Sequence, residues 1–259
     1  MTIVLSHRMQ ALAEMVTPGS LLADVGCDHG FISIYLVQHG ICPRVCAMDI
    51  NPGPLQRARE HVAACGLEKY IDIRLSDGVS ALRPGEADAL LCAGMGGRLM
   101  QKILTLGREK VAAMREVILQ PQSEIADFRR FLRNEGYVVT QERMILEDGK
   151  YYPMMRAVPM EKQEESDISK QQDRMVSNQQ QRLADKFGGL LLKQGDPVLR
   201  QYLCGQLNKY EMILERLSSP AETQERAEAR EERKRTVLEE IRDMRMALSW
   251  MEGSREETI

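Results

Sequence analysis

Short apolar runs alternate with amphipathic stretches along the first 160 residues. The apolar runs lie at 20–26, 44–49, 71–75, 87–93 and 116–119. Each run is continuously apolar rather than alternating, a pattern typical of parallel strands that are buried on both faces. Helical spacing of apolar residues predicts helices over 5–16, 30–39, 54–65, 97–114 and 123–134. Strands and helices that alternate in this way predict a doubly wound α/β sheet.

The pattern changes after the last of these helices. Residues 137–146 and 151–158 have the composition of strands, and the short segment Glu147-Asp148-Gly149-Lys150 separates them. An Asp-Gly turn between two such segments predicts a β-hairpin. The first part of the chain is therefore expected to be a Rossmann-like parallel sheet that ends in an antiparallel hairpin.

Heptad-like spacing of apolar residues dominates the chain beyond the polar stretch 161–173. One stripe comprises Leu199, Leu203, Leu207, Tyr210, Leu214 and Leu217, and a second comprises Val237, Ile241, Met244, Leu248 and Met251. Ser218-Ser219-Pro220 lies between the stripes, so the pattern predicts a coiled-coil hairpin, preceded by a helix at 172–193. We interpret the stripes as packing surfaces rather than a cofactor site. The predicted domains are 1–160 and 161–259.

Composition and charge narrow the class of protein. Hydrophobic residues make up 43% and charged residues 28% of the chain, which is typical of a globular protein. The sequence contains no apolar run of about 18 residues and no secretory leader pattern, so we expect no membrane contact. Six cysteines without a disulfide framework or metal-type pairs favour a reducing cytoplasm and no metal site. The net charge of −3 means that a nucleic-acid partner requires a local basic patch.

Polar residues and glycines follow the first predicted strand. The segment Asp24-Val25-Gly26-Cys27-Asp28-His29-Gly30 lies at the turn into the next helix, where parallel sheets bind ligands. It differs from the dinucleotide pattern G-x-G-x-x-G, because Asp28 and His29 stand where a pyrophosphate requires bare backbone amides. A carboxylate at this turn favours a ligand with a cationic amino or sulfonium group. S-adenosylmethionine has both.

Three further strand ends carry similar signals. Asp49, about 20 residues after the glycine turn, is placed to accept hydrogen bonds from ribose hydroxyls. Asp77 precedes Gly78 and is placed to receive an adenine amino group. The fourth strand ends in the flexible turn Gly94-Met95-Gly96-Gly97. Any one of these is most often an ordinary turn or cap, but four in succession along one sheet edge predict a ligand site.

The segments DVGCDHG, AMDIN, LSDG and CAGMGG, in this order and spacing, resemble the class I S-adenosylmethionine-dependent methyltransferases. More narrowly, together with LSHRMQALAEMV, LQPQ and KYYPMM, they are similar to the bacterial tRNA adenine-22 N1-methyltransferase family (TrmK). The resemblance implies a class I methyltransferase sheet followed by an all-α coiled-coil hairpin domain. The cofactor site that it implies consists of Asp24, Gly26, Cys27, Asp28, Gly30, Asp49, Ile50, Asp77, Gly78, Gly94, Met95 and Gly96.

The chemistry implied by the family makes few demands on a catalytic base. Adenine N1 holds an in-plane lone pair and can attack a sulfonium methyl directly, so positioning and desolvation carry most of the catalysis. The product ring is cationic, and we predict that Asp28 or His29 stabilises it or accepts a proton from the exocyclic amine.

Candidate RNA contacts are weaker signals than the strand-end motifs. A basic cluster at Arg129, Arg130 and Arg133 is predicted to bind tRNA phosphates on the strand-end side of the sheet. Tyr151 and Tyr152 are predicted to contact the substrate as well. The glutamate-interleaved basic run at 226–235 is a second candidate, although it has the pattern of a solvated helix face.

The sequence leaves alternatives open. A small-molecule or other RNA N-methyltransferase uses the same fold, and a non-catalytic RNA-binding protein retains the fold alone. A nicotinamide dehydrogenase is disfavoured by Asp28 and His29 in the first turn. We expect a cytoplasmic, monomeric tRNA methyltransferase.

Overall fold

The computed structural model of the chain describes residues 2–160, 178–218 and 224–256. The chain divides into two compact units, Met1–Met175 and Val176–Ile259. The domain boundary predicted at 160/161 borders residues that lie outside the described ranges, and it stays a prediction. In the described part of the chain, none of the helices has the length and apolarity that a membrane span requires.

Seven strands form one sheet in the first unit. In chain order they are β1 (Leu21–Val25), β2 (Arg44–Asp49), β3 (Ile71–Leu75), β4 (Ala89–Met95), β5 (Glu116–Pro121), β6 (Tyr137–Glu147) and β7 (Lys150–Pro159). They pair in the order β3-β2-β1-β4-β5-β7-β6. The first five are parallel, whereas β7 runs antiparallel to both β5 and β6. The predicted Rossmann-like sheet with a terminal hairpin is confirmed, and its strand order reverses between β1 and β4.

Helices cover both faces of this sheet. They are α1 (His7–Ala13), α2 (Phe31–Gln38), α3 (Pro52–Ala64), α4 (Gly97–Leu106), α5 (Arg108–Val111) and α6 (Ile125–Asn134). Neighbouring residues of β1 show why the apolar runs are continuous: Leu22 packs with apolar residues of α1, α2 and α3, and Ala23 packs with those of α4, α5 and α6. Each strand residue therefore faces one of two cores.

Helix α1 is attached to the far end of the hairpin. Ser6 caps the helix by accepting from Met9 N. The carboxylate of Glu147, the last residue of β6, accepts from Arg8 N at 3.0 Å and from Ser6 Oγ at 3.2 Å. These donors hold the pKa of Glu147 below its usual value. A carboxylate at a helix N-terminus is also favoured by the helix dipole, so this contact fixes the direction of α1.

Two predicted helices are interrupted by glycines. The helix predicted over 97–114 is divided into α4 and α5 at Gly107, where a Cβ would overlap Val79. The helix predicted over 172–193 is divided into α7 (Asn178–Phe187) and α8 (Gly189–Gln194), and 172–177 lie outside the described residues. Gly188 between them has φ +99°, a conformation that favours glycine and ends a helix. The helical spacing of apolar residues continues across both glycines, so the sequence pattern predicted one helix in each case.

The second unit continues with α9 (Pro197–Leu217) and α10 (Gln224–Glu256). The guanidinium of Arg200 on α9 bonds to Glu252 of α10, whereas the later α9 residue Glu211 bonds to the earlier α10 residue Arg245. The two helices are therefore antiparallel. Most of the predicted α10 stripe and the first part of the α9 stripe are buried: Leu199, Leu203, Val237, Ile241, Met244 and Met251. The coiled-coil assignment itself stays a prediction.

Candidate cofactor and active site

A cavity of about 580 Å³ lies at the carboxyl ends of β1 to β4, beside the point where the strand order reverses. This is the expected ligand position in an open α/β sheet. The cavity is lined by eleven of the residues that the sequence singled out: Asp24, Gly26, Cys27, Asp28, His29, Asp49, Ile50, Asp77, Gly78, Gly94 and Met95. The motifs that lie apart in the sequence are therefore brought to one site.

The first turn is shaped by left-handed backbone conformations. Gly26 has φ +76° and Asp28 has φ +48°. The amides of Gly26 and Cys27 both donate to Met48 O, at 2.8 and 3.0 Å, which ties the turn to β2. The methyl group of Met95 packs directly on Gly26, where a Cβ would overlap it. The left-handed φ of Gly26 favours glycine at this position, and a Cβ there would also require the flexible end of Met95 to move.

Asp24 provides a buried carboxyl group beside the cavity. Ser33 Oγ donates to Asp24 Oδ2 at 2.5 Å, and the residue is only 3% exposed. Burial raises the pKa of Asp24 to about 6, and the nearby charge of Asp49 adds to the increase. The hydrogen bond from Ser33 opposes this shift by favouring the charged form. Near neutral pH the cavity therefore contains a buried negative charge that a cationic ligand would compensate.

We predict that Asp24→Asn stabilises the ligand-free protein more at pH 7.5 than at pH 4.5. Because the pKa of the folded state lies above the usual 3.8, ionisation of Asp24 costs stability as the pH rises towards and through 6. The difference in unfolding free energy between variant and wild type should increase by at most about 3 kcal/mol over this range. Urea unfolding at both pH values measures it, with Asp72→Asn on β3 as the control. A difference that does not change with pH would contradict the buried charge.

Asp49 organises the second turn as well as facing the cavity. Its Oδ1 accepts from Asn51 N at 2.8 Å and its Oδ2 accepts from Asp28 N at 3.4 Å. The carboxylate thus joins the turns that follow β1 and β2. Its remaining lone pairs are available to accept hydrogen bonds from the hydroxyl groups of a ribose.

The ring of His29 is held from both sides. Arg57 Nε donates to His29 Nδ1 at 3.2 Å, and His29 Nε2 lies 3.5 Å from Asp28 Oδ1. The bond from Arg57 requires Nδ1 to act as the acceptor. The two residues of the predicted catalytic pair therefore lie side by side, and the role of each stays a prediction.

The third and fourth strand ends are built from close backbone packing. Ser76 Oγ donates to Gly78 O at 2.8 Å and accepts from Ala81 N at 3.0 Å, which fixes the Asp77-Gly78 turn. Gly78 has φ +56°. At the end of β4, Gly94 N donates to Gln120 Oε1 at 3.2 Å, and a Cβ on Gly97 would lie 2.6 Å from Ser123 O. The glycines here allow the β4 turn to pack against β5.

Two of the predicted cofactor residues do not line the cavity. Gly30 has φ +74°, begins α2 and packs against Ala58 of α3. A Cβ on Gly96 would lie 2.9 Å from Ser123 Oγ, so this glycine serves the packing of the β4 turn. Both residues have a packing role in the structure, and their predicted contact with the cofactor stays a prediction.

The predicted phosphate cluster needs a larger correction. Arg129 is 7% exposed, and its Nε donates to the buried Glu142 Oε1 at 2.8 Å, so its assignment to an RNA-binding surface is wrong. Arg130 and Arg133 are exposed. Arg133 lies in the last turn of α6, about 12 Å along the helix from its start at the strand-end side. The predicted phosphate contacts of Arg130 and Arg133 stay predictions.

The predicted substrate tyrosines, Tyr151 and Tyr152, lie on β7 and are half-buried. Neither lines the cavity, although the guanidinium of Arg8, which does, stacks 4.9 Å from the ring centre of Tyr152. Their contact with a substrate stays a prediction.

Sequence reasoning missed several cavity residues. Those with polar side chains are Arg8, Asn51, Ser76 and Gln122, and an exposed apolar wall is added by Leu99. Arg8 and Gln122 belong to the segments LSHRMQALAEMV and LQPQ, which carried the family resemblance without an assigned role. The sequence signal that could have pointed to Arg8 was its charge in the first turn of an amphipathic helix.

The sheet order and the acid- and glycine-lined cavity at its switch point define the protein as a Rossmann-like methyltransferase. A family model described as a methyltransferase domain matches residues 5–155. The chain is 31% identical over 221 residues to the tRNA (adenine(22)-N(1))-methyltransferase of Bacillus subtilis, covering 85% of this chain and 89% of the relative. The chain belongs to the tRNA (adenine(22)-N(1))-methyltransferase family.

Solved structures agree with this assignment over nearly the whole chain. The crystal structure of the B. subtilis m1A22 tRNA methyltransferase TrmK matches with a TM-score of 0.77 and 27% identity, covering 95% of this chain and 99% of that one. The Streptococcus pneumoniae protein Sp1610, solved in complex with S-adenosyl-L-methionine, matches with a TM-score of 0.77 and 28% identity, covering 95% and 100%. These similarities extend beyond the methyltransferase domain into the helical part.

Proposed function

We propose that this protein transfers a methyl group from S-adenosylmethionine to N1 of adenosine 22 in tRNA. The observation that carries the proposal is the cavity at the sheet switch point, built from the same motifs that carry the family resemblance. Its volume falls within the range of about 300–1,000 Å³ that is usual for small-ligand sites. The B. subtilis relative bears the name of this activity, and the Sp1610 structure contains this cofactor.

The side chains of the cavity fit the cofactor group by group. Asp49 offers carboxylate oxygens to the ribose hydroxyls, and Asp77 is available to an adenine amino group. Asp24 and Asp28 supply negative charge for the cationic ammonium and sulfonium groups. The burial of Asp24 makes this charge compensation strong, because little solvent screens it.

The bound cofactor supplies an electrophilic methyl group, and the protein supplies position and electrostatics. The Gly94–Gly97 turn leaves space for a flat base to approach the end of β4, and the exposed side chain of Leu99 provides an apolar wall that excludes water. Adenine N1 needs no prior deprotonation, so no strong base is required. Asp28, which lines the cavity beside His29, stabilises the cationic ring that forms as N1 is methylated.

The target base must leave its stack to reach the cavity. Unstacking costs a few kcal/mol and favours an unpaired or distorted nucleotide. The cavity itself carries four aspartates, so affinity for the tRNA backbone must come from cations outside it. Monomeric state and cytoplasmic location stay predictions.

The activity is tested by incubation of the full chain with labelled S-adenosylmethionine and tRNA lacking its own modifications, followed by nucleoside analysis. We expect 1-methyladenosine, and its loss when adenosine 22 is replaced by guanosine. Methylation of a small molecule but not of tRNA would overturn the substrate assignment. Cofactor binding without transfer to any RNA would favour a non-catalytic protein.

We further predict that a fragment of residues 1–160 binds the cofactor but methylates tRNA poorly. Every cavity residue precedes residue 160, whereas the helical unit is available to extend the RNA-binding surface. Comparison of turnover for the fragment and the full chain, with calorimetric binding of S-adenosylhomocysteine to both, measures the difference. Equal turnover would reduce the helical unit to a stabilising element.

A further inference from the structure

An amide side chain borders the cavity at the end of β5. Gln122, the residue that follows β5, lines the cavity and is exposed. Its Nε2 lies 3.9 Å from the position that a Cβ would take on Gly94, near the end of β4. Within the described part of the chain, the side-chain amide of Gln122 has no hydrogen-bond partner. Both a donor and an acceptor are therefore available to a ligand at this point.

The backbone around Gln122 is fixed against the β4 turn. Gln122 N donates to Met95 O at 2.8 Å, and Gly97 N donates to Ser123 O at 3.1 Å. Pro121, the residue before Gln122, pairs with Met95 in the sheet. Hydrogen bonds on both sides of Gln122 therefore hold its Cα in place, as recognition of a ligand edge requires.

Gln122 lies at the end of the cavity that the cofactor acids leave free. Asp28, Asp49 and Asp77 follow β1, β2 and β3, whereas Gln122 follows β5, on the other side of β4 in the sheet. Among the described residues that line the β4–β5 end, Gln122 is the one whose side chain offers both a donor and an acceptor. Leu99 adds an apolar surface at the same end. This end of the cavity is therefore suited to the flat, polar-edged base that accepts the methyl group.

We propose that Gln122 recognises the target adenine by its Hoogsteen edge, with Oε1 accepting from N6–H and Nε2 donating to N7. This inference rests on the proposed function. N1 must remain free to meet the methyl group, so a residue that selects adenine has to use the edge that carries N6 and N7. A carboxamide matches this donor and acceptor pair, whereas guanine presents two acceptors, O6 and N7, on the same edge.

The reaction strengthens one of these two hydrogen bonds. N1 uses its lone pair to form the bond to the methyl carbon, and the carbon–sulfur bond breaks with its electron pair remaining on sulfur. The adenine ring takes the positive charge, which spreads to N6 and makes N6–H a stronger donor to Oε1. Because this bond is stronger in the transition state than in the ground state, loss of the amide should lower kcat as well as raise the KM for tRNA.

The test compares tRNA that carries adenosine at position 22 with tRNA that carries 7-deazaadenosine there. The analogue keeps N1 and the amino group but has a C–H group in place of N7. The wild type should prefer adenosine by about 10-fold in kcat/KM, within the range expected for part of a bidentate base contact. Gln122→Ala should lower kcat/KM for adenosine by about 10- to 100-fold and use both tRNAs equally well.

Gln122→Glu reverses the expected preference. The carboxylate keeps an acceptor for N6–H but places a second acceptor opposite N7, where the wild type has a donor. Removal of N7 relieves this contact, so 7-deazaadenosine should become an equal or better substrate than adenosine. A merely structural role of Gln122 does not produce this change of sign.

Gln56→Ala provides the matched control, because Gln56 is an exposed glutamine of α3 outside the cavity whose amide bonds to Glu60. It should keep the wild-type preference, and calorimetry should show unchanged binding of S-adenosylhomocysteine to Gln122→Ala. Weakened cofactor binding would make Gln122 a cofactor ligand and overturn the proposal. So would a wild type without preference, or a Gln122→Ala variant that keeps the full preference. If the wild type forms no 1-methyladenosine in either tRNA, the proposed function itself fails.

Discussion

Arg129→Gln is expected to lower the free energy of unfolding by about 3–5 kcal/mol, the usual cost of removing one partner of a buried ion pair. The guanidinium of Arg129 and the carboxylate of Glu142 are almost fully buried between α6 and the hairpin. Removing the cation takes the charge of Arg129 away from the buried carboxylate of Glu142. Denaturant unfolding of the variant and the wild type measures the loss.

The same variant separates a structural role from RNA binding. At a temperature where the variant remains folded, its KM for tRNA should match that of the wild type. Arg130→Gln on the same helix is the control, because Arg130 is exposed and its pair with Asp127 is a surface contact. It should change stability by no more than about 0.5 kcal/mol. Replacing Arg129 by Met and Glu142 by Leu together should recover much of the lost stability. If Arg129→Gln raises the KM for tRNA without lowering stability, the structural role is contradicted and Arg129 contacts RNA.

Asp49→Ala is expected to weaken cofactor binding by about 1.5–3 kcal/mol, roughly 10- to 100-fold, the usual value of hydrogen bonds to a charged group. The carboxylate lies at the end of β2, lines the cavity and accepts from the amides of Asp28 and Asn51. Its removal takes away the ribose acceptor and loosens the first turn at the same time. Calorimetry with S-adenosylhomocysteine measures the change.

A second variant separates these two effects. Asp49→Asn keeps one oxygen that can accept from Asn51 N but has lost the charge, so its affinity should lie between Asp49→Ala and wild type. Asp72→Ala on the neighbouring strand β3 removes an exposed carboxylate outside the cavity and should leave the affinity unchanged. Unaltered affinity of Asp49→Ala would refute the ribose assignment.

The strand-end residues show which features of the site can be predicted from local sequence. The segment from Asp24 to Gly30 follows a continuously apolar run, and the same holds for Asp49 and Asp77. Because the carboxyl ends of parallel strands share one edge of a sheet, the strand pattern alone was enough to predict that these residues meet. Within these segments, whether a glycine serves the ligand or the packing depends on neighbours such as Ala58 and Ser123. Those neighbours lie on other elements, so the sequence alone did not reveal the packing of Gly30 and Gly96.

Charged side chains on helices mark the limit of this reasoning. Arg129 and Arg130 are adjacent, and their helical spacing does not distinguish the buried pair with Glu142 from the exposed pair with Asp127. Arg8 lines the cavity, and its guanidinium donates to Gln120, which is 112 residues away in sequence. By itself, the sequence determined the α/β sheet, the terminal hairpin and the cluster of acids and glycines, because hydrophobic periodicity and strand direction are local properties. Only the tertiary structure decided which arginines are interior, because the burial of a charge depends on the partner that a distant segment brings to it.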